Sequence, residues 1–164
     1  NIVNKIANIR FFNFAVSDTD SKIIKLFKGA SNCSGDSSVH NFGETDGENV
    51  ITISLDKIFD LTGIDNIDYL KIDCEGSEYD IMRNADLSRI SMISGELHGL
   101  KGQNFNELRD ELLDRLCEEF LVFENGMSEH NFMAINKRHK KLCEYMVADI
   151  LNRNSDDRPI LREK

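Results

Sequence analysis

The sequence predicts an α/β fold built on a sheet that is parallel in the middle and antiparallel at one edge. Three observations predict it. Short β-branched or aromatic runs alternate with helical patterns along the chain, the order that βαβ units produce. One run, Ile67 to Asp73, is nearly continuous in apolar residues (Ile67, Tyr69, Leu70, Ile72), which suits a strand covered on both faces. The last two runs are joined through Asn125-Gly126, a turn pair typical of antiparallel neighbours.

Each element follows from local pattern. Ile9 to Val16 is rich in aromatic and β-branched residues and ends at Ser17-Asp18-Thr19-Asp20, a strand entering a turn. Lys22 to Lys28 is a second short strand, and Gly29 to Gly47 a polar loop. Asn49 to Ser54 is the next strand. Leu55 to Leu61 then places Leu55, Ile58, Phe59 and Leu61 on one side of a short helix. After the strand Ile67 to Asp73 come a helix over Ser77 to Asn84 and a buried-type strand, Ile90 to Leu97. Asn104 to Glu119 is the clearest helix. Phe105, Leu108, Leu112, Leu113 and Leu116 recur at helical spacing, and Asn104 with Glu107 forms an N-cap pattern. Phe120 to Glu124 and Asn131 to Asn136 are the hairpin strands. A last helix, Arg138 to Asn152, uses Leu142, Met146 and Ile150 as its stripe. The residues after Asn154 are polar and are expected to fray. Residues 1–154 thus read as one domain and 155–164 as a tail.

Composition narrows the function. A chain of 164 residues can bury a real core, and one Pro with ten Gly argues against a linker. The net charge of −9 disfavours a nucleic-acid partner, because phosphate binding needs a positive surface. Lys137-Arg138-His139-Lys140-Lys141 is the local exception, and in so acidic a chain it reads as a solvated helix start. No apolar run approaches a membrane span, and no leader pattern opens the chain. Cys33, Cys74, Cys117 and Cys143 form no CxxC pair, which suits four reduced thiols in a cytoplasmic protein. Without a leader, the sequon Asn32-Cys33-Ser34 reads as chance.

The chemistry concentrates in Ile67 to Glu78. A strand ends at Asp73, Glu75 projects to the same side if the strand continues, and Gly76 permits a sharp turn into a helix. In open α/β sheets, ligands bind just beyond the carboxyl ends of strands. Asp73, Glu75 and Glu78 make that place strongly negative, able to hold a cation, accept a proton or coordinate a hard metal. Glu78 reads more simply as a complement to a helix N-terminus.

The stretch Ile67 to Glu78 resembles the I-D-L-L-K-I-D-V-E-G-A-E signature of FkbM-family methyltransferases. The similarity continues through Ala15-Val16-Ser17-Asp18 (A-V-S-D), Ser37-Ser38, Val50 to Asp56 (V-x-V-x-T-L-D, with Ser54 for Thr) and Gly95-Glu96-Leu97-His98 (E-x-H). It spans about Ile9 to Asn136. The resemblance implies a class I methyltransferase, Rossmann-like sheet with S-adenosylmethionine as methyl donor. The acceptor would be a hydroxyl on a small metabolite or sugar. It places Ala15, Val16, Ser17 and Asp18, with Asp73 and Gly76, against the donor, Ser17 and Asp18 near its adenine. Asp73 and Glu75 would face the methyl end and the acceptor. Glu96 and His98 share a strand face, and His98 is the candidate general base. No resident metal is implied.

The family's glycine-rich loop after its first strand, and the acid ending its second, have no counterpart here. The N-terminal strands of the sheet are therefore expected to be missing, and the isolated 164 residues are expected to bind the donor weakly or not at all. Two other readings compete: a non-catalytic binding or assembly module derived from a methyltransferase, and a hydrolase whose metal is held by Asp73, Glu75, Glu96 and His98. The acceptor and the oligomeric state are not legible in the sequence.

Overall fold

Strand pairing divides the chain into two sheets. The computed structural model describes residues 9–28, 37–40, 46–125, 128–152 and 159–162. Ala15–Val16 (β1), Ile23–Phe27 (β2) and Gly47–Ile53 (β3) form a sheet in the order β1-β3-β2, with β1 parallel and β2 antiparallel to β3. Ile67–Ile72 (β4), Ile90–Glu96 (β5), Phe120–Asn125 (β6), Ser128–Asn136 (β7) and Ile160–Arg162 (β8) form the second, in the order β4-β5-β7-β6-β8. There β4 and β5 run parallel, with Ile72 opposite Gly95, and the other neighbours are antiparallel.

Helix ends follow from their caps. Ser54 accepts a hydrogen bond from the Lys57 amide at 3.1 Å and starts α1 (Leu55–Thr62), which Gly63 closes at φ 68°. A short α2 (Glu78–Arg83) follows β4. Asn104 accepts from the Asn106 amide at 3.1 Å and donates to Glu107 at 3.0 Å, opening α3 (Phe105–Leu116). The last helix is α4 (Lys140–Asn152). No helix among the described residues is long and apolar enough to cross a membrane.

Strand alternation sorts the core into two layers. Ile93, Phe120, Val122, Phe132 and Ala134 point toward α1, α2 and α3, where Phe59, Met82, Leu112, Leu113 and Leu116 complete one cluster. Phe123 and Ile135, with the partly buried Met92, face the other way and meet Cys143 and Ile150 of α4. The strands β5, β7 and β6 are thus covered on both faces.

The structure corrects four expectations. The strand at 9–16 is reduced to Ala15–Val16. Phe11, Phe12 and Phe14 are 71%, 50% and 40% exposed, and only the last two residues of the run meet a partner in β3. The parallel pairing of the larger sheet is not central: β4 is its edge among the described residues, with Tyr69 55% exposed, so β4 is not covered on both faces. Strand propensity records a fit to a pleated surface but not which neighbours arrive. Residues 160–162 do not fray, because they add to the free edge of β6 and Arg162 bonds Asp114, Asp110 and Glu124 at 3.0–3.2 Å. The basic run is partly anchored, since Lys137 donates to the Cys117 carbonyl at 2.6 Å and Arg138 to that of Ser88. Gly126, Cys33 and the sequon lie outside the described residues.

Candidate functional site

Between β4 and α2 the chain reverses over residues 73–77, and two residues there take positive φ: Glu75 at 50° and Gly76 at 103°. Gly76 is required on packing grounds as well. A Cβ on it would lie 2.6 Å from Leu100 Cδ2 and 3.1 Å from His40 Cδ2. Glu75 carries a side chain in the left-handed region, at a cost of about 1–2 kcal/mol that its neighbours must offset.

Glu78 supplies that offset. Its side chain is fully buried; Oε1 accepts from the Cys74 amide at 2.6 Å and Oε2 from the Gly76 amide at 3.0 Å. Hydrogen bonds from amides to a carboxylate are among the stronger ones in a protein. Ser38 closes the turn from outside, its hydroxyl donating to the Glu75 carbonyl at 2.6 Å.

The end of β5 delivers the fourth group. The Leu97 amide donates to the His130 carbonyl at 2.8 Å, and His130 Nδ1 returns a bond to the Leu97 carbonyl at 2.8 Å. His98 follows directly. Its Nδ1 lies 3.1 Å from Glu78 Oε1, while Nε2 faces Glu75 Oε2 at 3.6 Å and Asp73 Oδ1 at 4.0 Å. The other oxygen of Asp73 pairs with Lys71 Nζ at 2.7 Å. That hydrogen bond first, with the charges of Asp73 and Glu96 adding to it, raises the Lys71 pKa and keeps the ammonium charged. Burial pushes the Cys74 thiol up, which leaves it protonated and a poor nucleophile.

Of the residues expected at the site, Asp73, Glu75 and His98 converge. Glu96, the last residue of β5, is outside that group, and its charge acts on Lys71. Ala15 and Val16 lie in β1, and Ser17 leaves it by donating to the Ile53 carbonyl at 2.9 Å. Asp18 accepts from the Ser17 hydroxyl at 3.1 Å. Among the described residues no hydrogen bond or ion pair links Ser17 or Asp18 to the 73–78 turn. The open face of Gly76 is filled by Leu100 and His40.

Glu78 is the residue whose role the sequence reading missed. A carboxylate one position into a helix suggests a dipole effect, and nothing local shows that it reaches back to two loop amides and across to His98. Ser38 was legible only as part of a small-residue pair, not as a clamp on Glu75.

The described residues define an α/β protein whose acid–imidazole cluster lies just beyond the carboxyl ends of two parallel strands, the usual ligand position in such sheets. The family model for the methyltransferase FkbM domain matches residues 1–126, and the chain belongs to that family. No curated protein and no solved structure matches the chain.

Proposed function

We propose that the chain transfers a methyl group from S-adenosylmethionine to a hydroxyl oxygen of a small metabolite or sugar. The observation that carries this reading is the convergence of Asp73, Glu75 and His98, with Glu78 behind them, in a chain of the FkbM family. The donor supplies an electrophilic methyl group on a sulfonium cation. Asp73 and Glu75 fit that charge, since their carboxylates stay 40% and 31% exposed at the mouth of the site. In this reading Ala15, Val16, Ser17 and Asp18 hold the adenine end, and Gly76 lets the chain turn away from the methyl end.

The chain's own part in the chemistry is placement and proton removal. Glu78 holds the His98 ring through Nδ1, which leaves Nε2 to take the hydroxyl proton as the acceptor oxygen becomes a nucleophile. Transfer of label from methyl-labelled S-adenosylmethionine to a panel of hydroxylated acceptors tests the reading. His98→Ala is expected to lower the rate by about 10²–10⁴-fold. Absence of donor binding by the protein carrying this chain, or transfer undiminished in both His98→Ala and Asp73→Asn, would overturn it.

A further inference from the structure

Three atoms of the site approach one another without bonding. His98 Nε2 is 3.6 Å from Glu75 Oε2 and 4.0 Å from Asp73 Oδ1, both beyond hydrogen-bond reach. One ligand atom from each of the three residues lies within 4.8 Å of the others. Nitrogen and oxygen atoms bound to one metal ion at roughly 2.0–2.2 Å stand about 3–4 Å apart, close to the spacing found here.

Glu78 adds an independent constraint. The Cys74 and Gly76 amides can only donate to its buried carboxylate, so His98 meets it as a second kind of donor, through Nδ1–H. That bond turns Nε2 toward the other two carboxylates. A divalent cation at the centre would bond Nε2 and both carboxylate oxygens together, with the imidazole neutral as metal binding requires. Lys71 neutralises only the far oxygen of Asp73 and leaves Oδ1 turned inward. Histidines bound to metals typically carry this pairing of the second ring nitrogen with a carboxylate.

We propose that Asp73, Glu75 and His98 bind a divalent metal ion, with Glu78 orienting the imidazole ligand. One imidazole and two carboxylates suit Mn²⁺ or Zn²⁺ better than Ca²⁺, which takes oxygen ligands. The binding does not depend on methyl transfer. Its consequence rests on that reading: with the ion bound Nε2 is a ligand, and its role as base belongs to the metal-free site. In the metal-bound site an acceptor hydroxyl at an open coordination position would be acidified by the metal and give its proton to solvent water.

The test titrates the purified chain with Mn²⁺ alone near neutral pH, with no donor present. Free Mn²⁺ is followed by electron paramagnetic resonance, and backbone amide broadening is followed by NMR. One site is expected, with broadening centred on residues 73–76 and 98. Glu78→Gln should weaken binding by about 10–100-fold, and His98→Ala or Asp73→Asn by at least about tenfold. Glu75→Gln guards against a folding artefact, because its side chain is partly exposed: it should lose Mn²⁺ while keeping the wild-type circular dichroism spectrum. Failure of the folded chain to bind Mn²⁺, or equal affinity in His98→Ala and Asp73→Asn, overturns the proposal; the second result places the ion elsewhere on the acidic surface. Donor binding is measured separately. Mn²⁺ binding by the chain, with no donor binding by the protein carrying it, refutes the methyl-transfer reading and leaves the metal site standing.

Discussion

Glu78→Gln isolates the contribution of one buried carboxylate to the shape of the site. The wild-type side chain accepts two amides, from Cys74 at 2.6 Å and Gly76 at 3.0 Å, and meets His98 at 3.1 Å. Glutamine keeps the shape but offers one acceptor oxygen and one NH₂ group. If the oxygen stays with Cys74, the NH₂ group confronts the Gly76 N–H, donor against donor. A hydrogen bond to a charged group contributes about 1.5–3 kcal/mol, and a stranded buried donor costs about 1–3 kcal/mol. The variant should therefore lose about 3 kcal/mol. Part of that loss is the left-handed backbone at Glu75, which the lost bonds no longer hold. Urea unfolding measures it as a lower midpoint at unchanged slope. Hydrogen exchange should also quicken first at the Cys74 and Gly76 amides. A loss under about 1 kcal/mol, or unchanged protection at those amides, would refute the assignment of Glu78 as the anchor of the turn.

Three further outcomes follow from the packing and charges. Gly95→Ala would press a Cβ against the Phe132 ring and within 2.8 Å of Ile72 Cγ2, so thermal unfolding should show a loss of about 1–3 kcal/mol. Burial first, then the nearby Glu78 charge, pushes the Tyr79 hydroxyl from 10.0 up to about 12. The unfolded chain therefore releases this proton first: the contribution is complete below about pH 10 and is lost as pH rises toward 12. Tyr79→Phe should flatten that alkaline fall in urea midpoint and cost little at neutral pH, because the hydroxyl has no hydrogen-bond partner among the described residues. Arg162→Ala should cost about 1–2 kcal/mol in urea unfolding and speed exchange at the β8 amides, since its bonds to Asp114, Asp110 and Glu124 pin that strand.

Much of the fold could be read locally. Helical spacing marked α3, and the capping residues Ser54 and Asn104 act as their types suggest. The hairpin of β6 and β7 is antiparallel, with Phe120 opposite Asn136. The misreadings share a cause. Ile9 to Val16 and Ile67 to Asp73 have strand composition, but whether a strand is long, central or exposed depends on partners far along the chain. In β8 a polar tail becomes ordered because β6 offers an open edge and three carboxylates stand ready for Arg162.

The candidate site divides the same way. Membership of the FkbM family and the identities of Asp73, Glu75 and His98 are written in the sequence, because those residues occur in short motifs in a fixed order. That they face one another is decided by the tertiary structure. His98 belongs to a strand end twenty residues beyond Glu78, and only the parallel pairing of β4 with β5 brings the two together. The exclusion of Glu96 and the inclusion of Glu78 are decided there too. A side chain's direction at the end of a strand depends on where the chain turns, and here the turn depends on a carboxylate that the fold has buried.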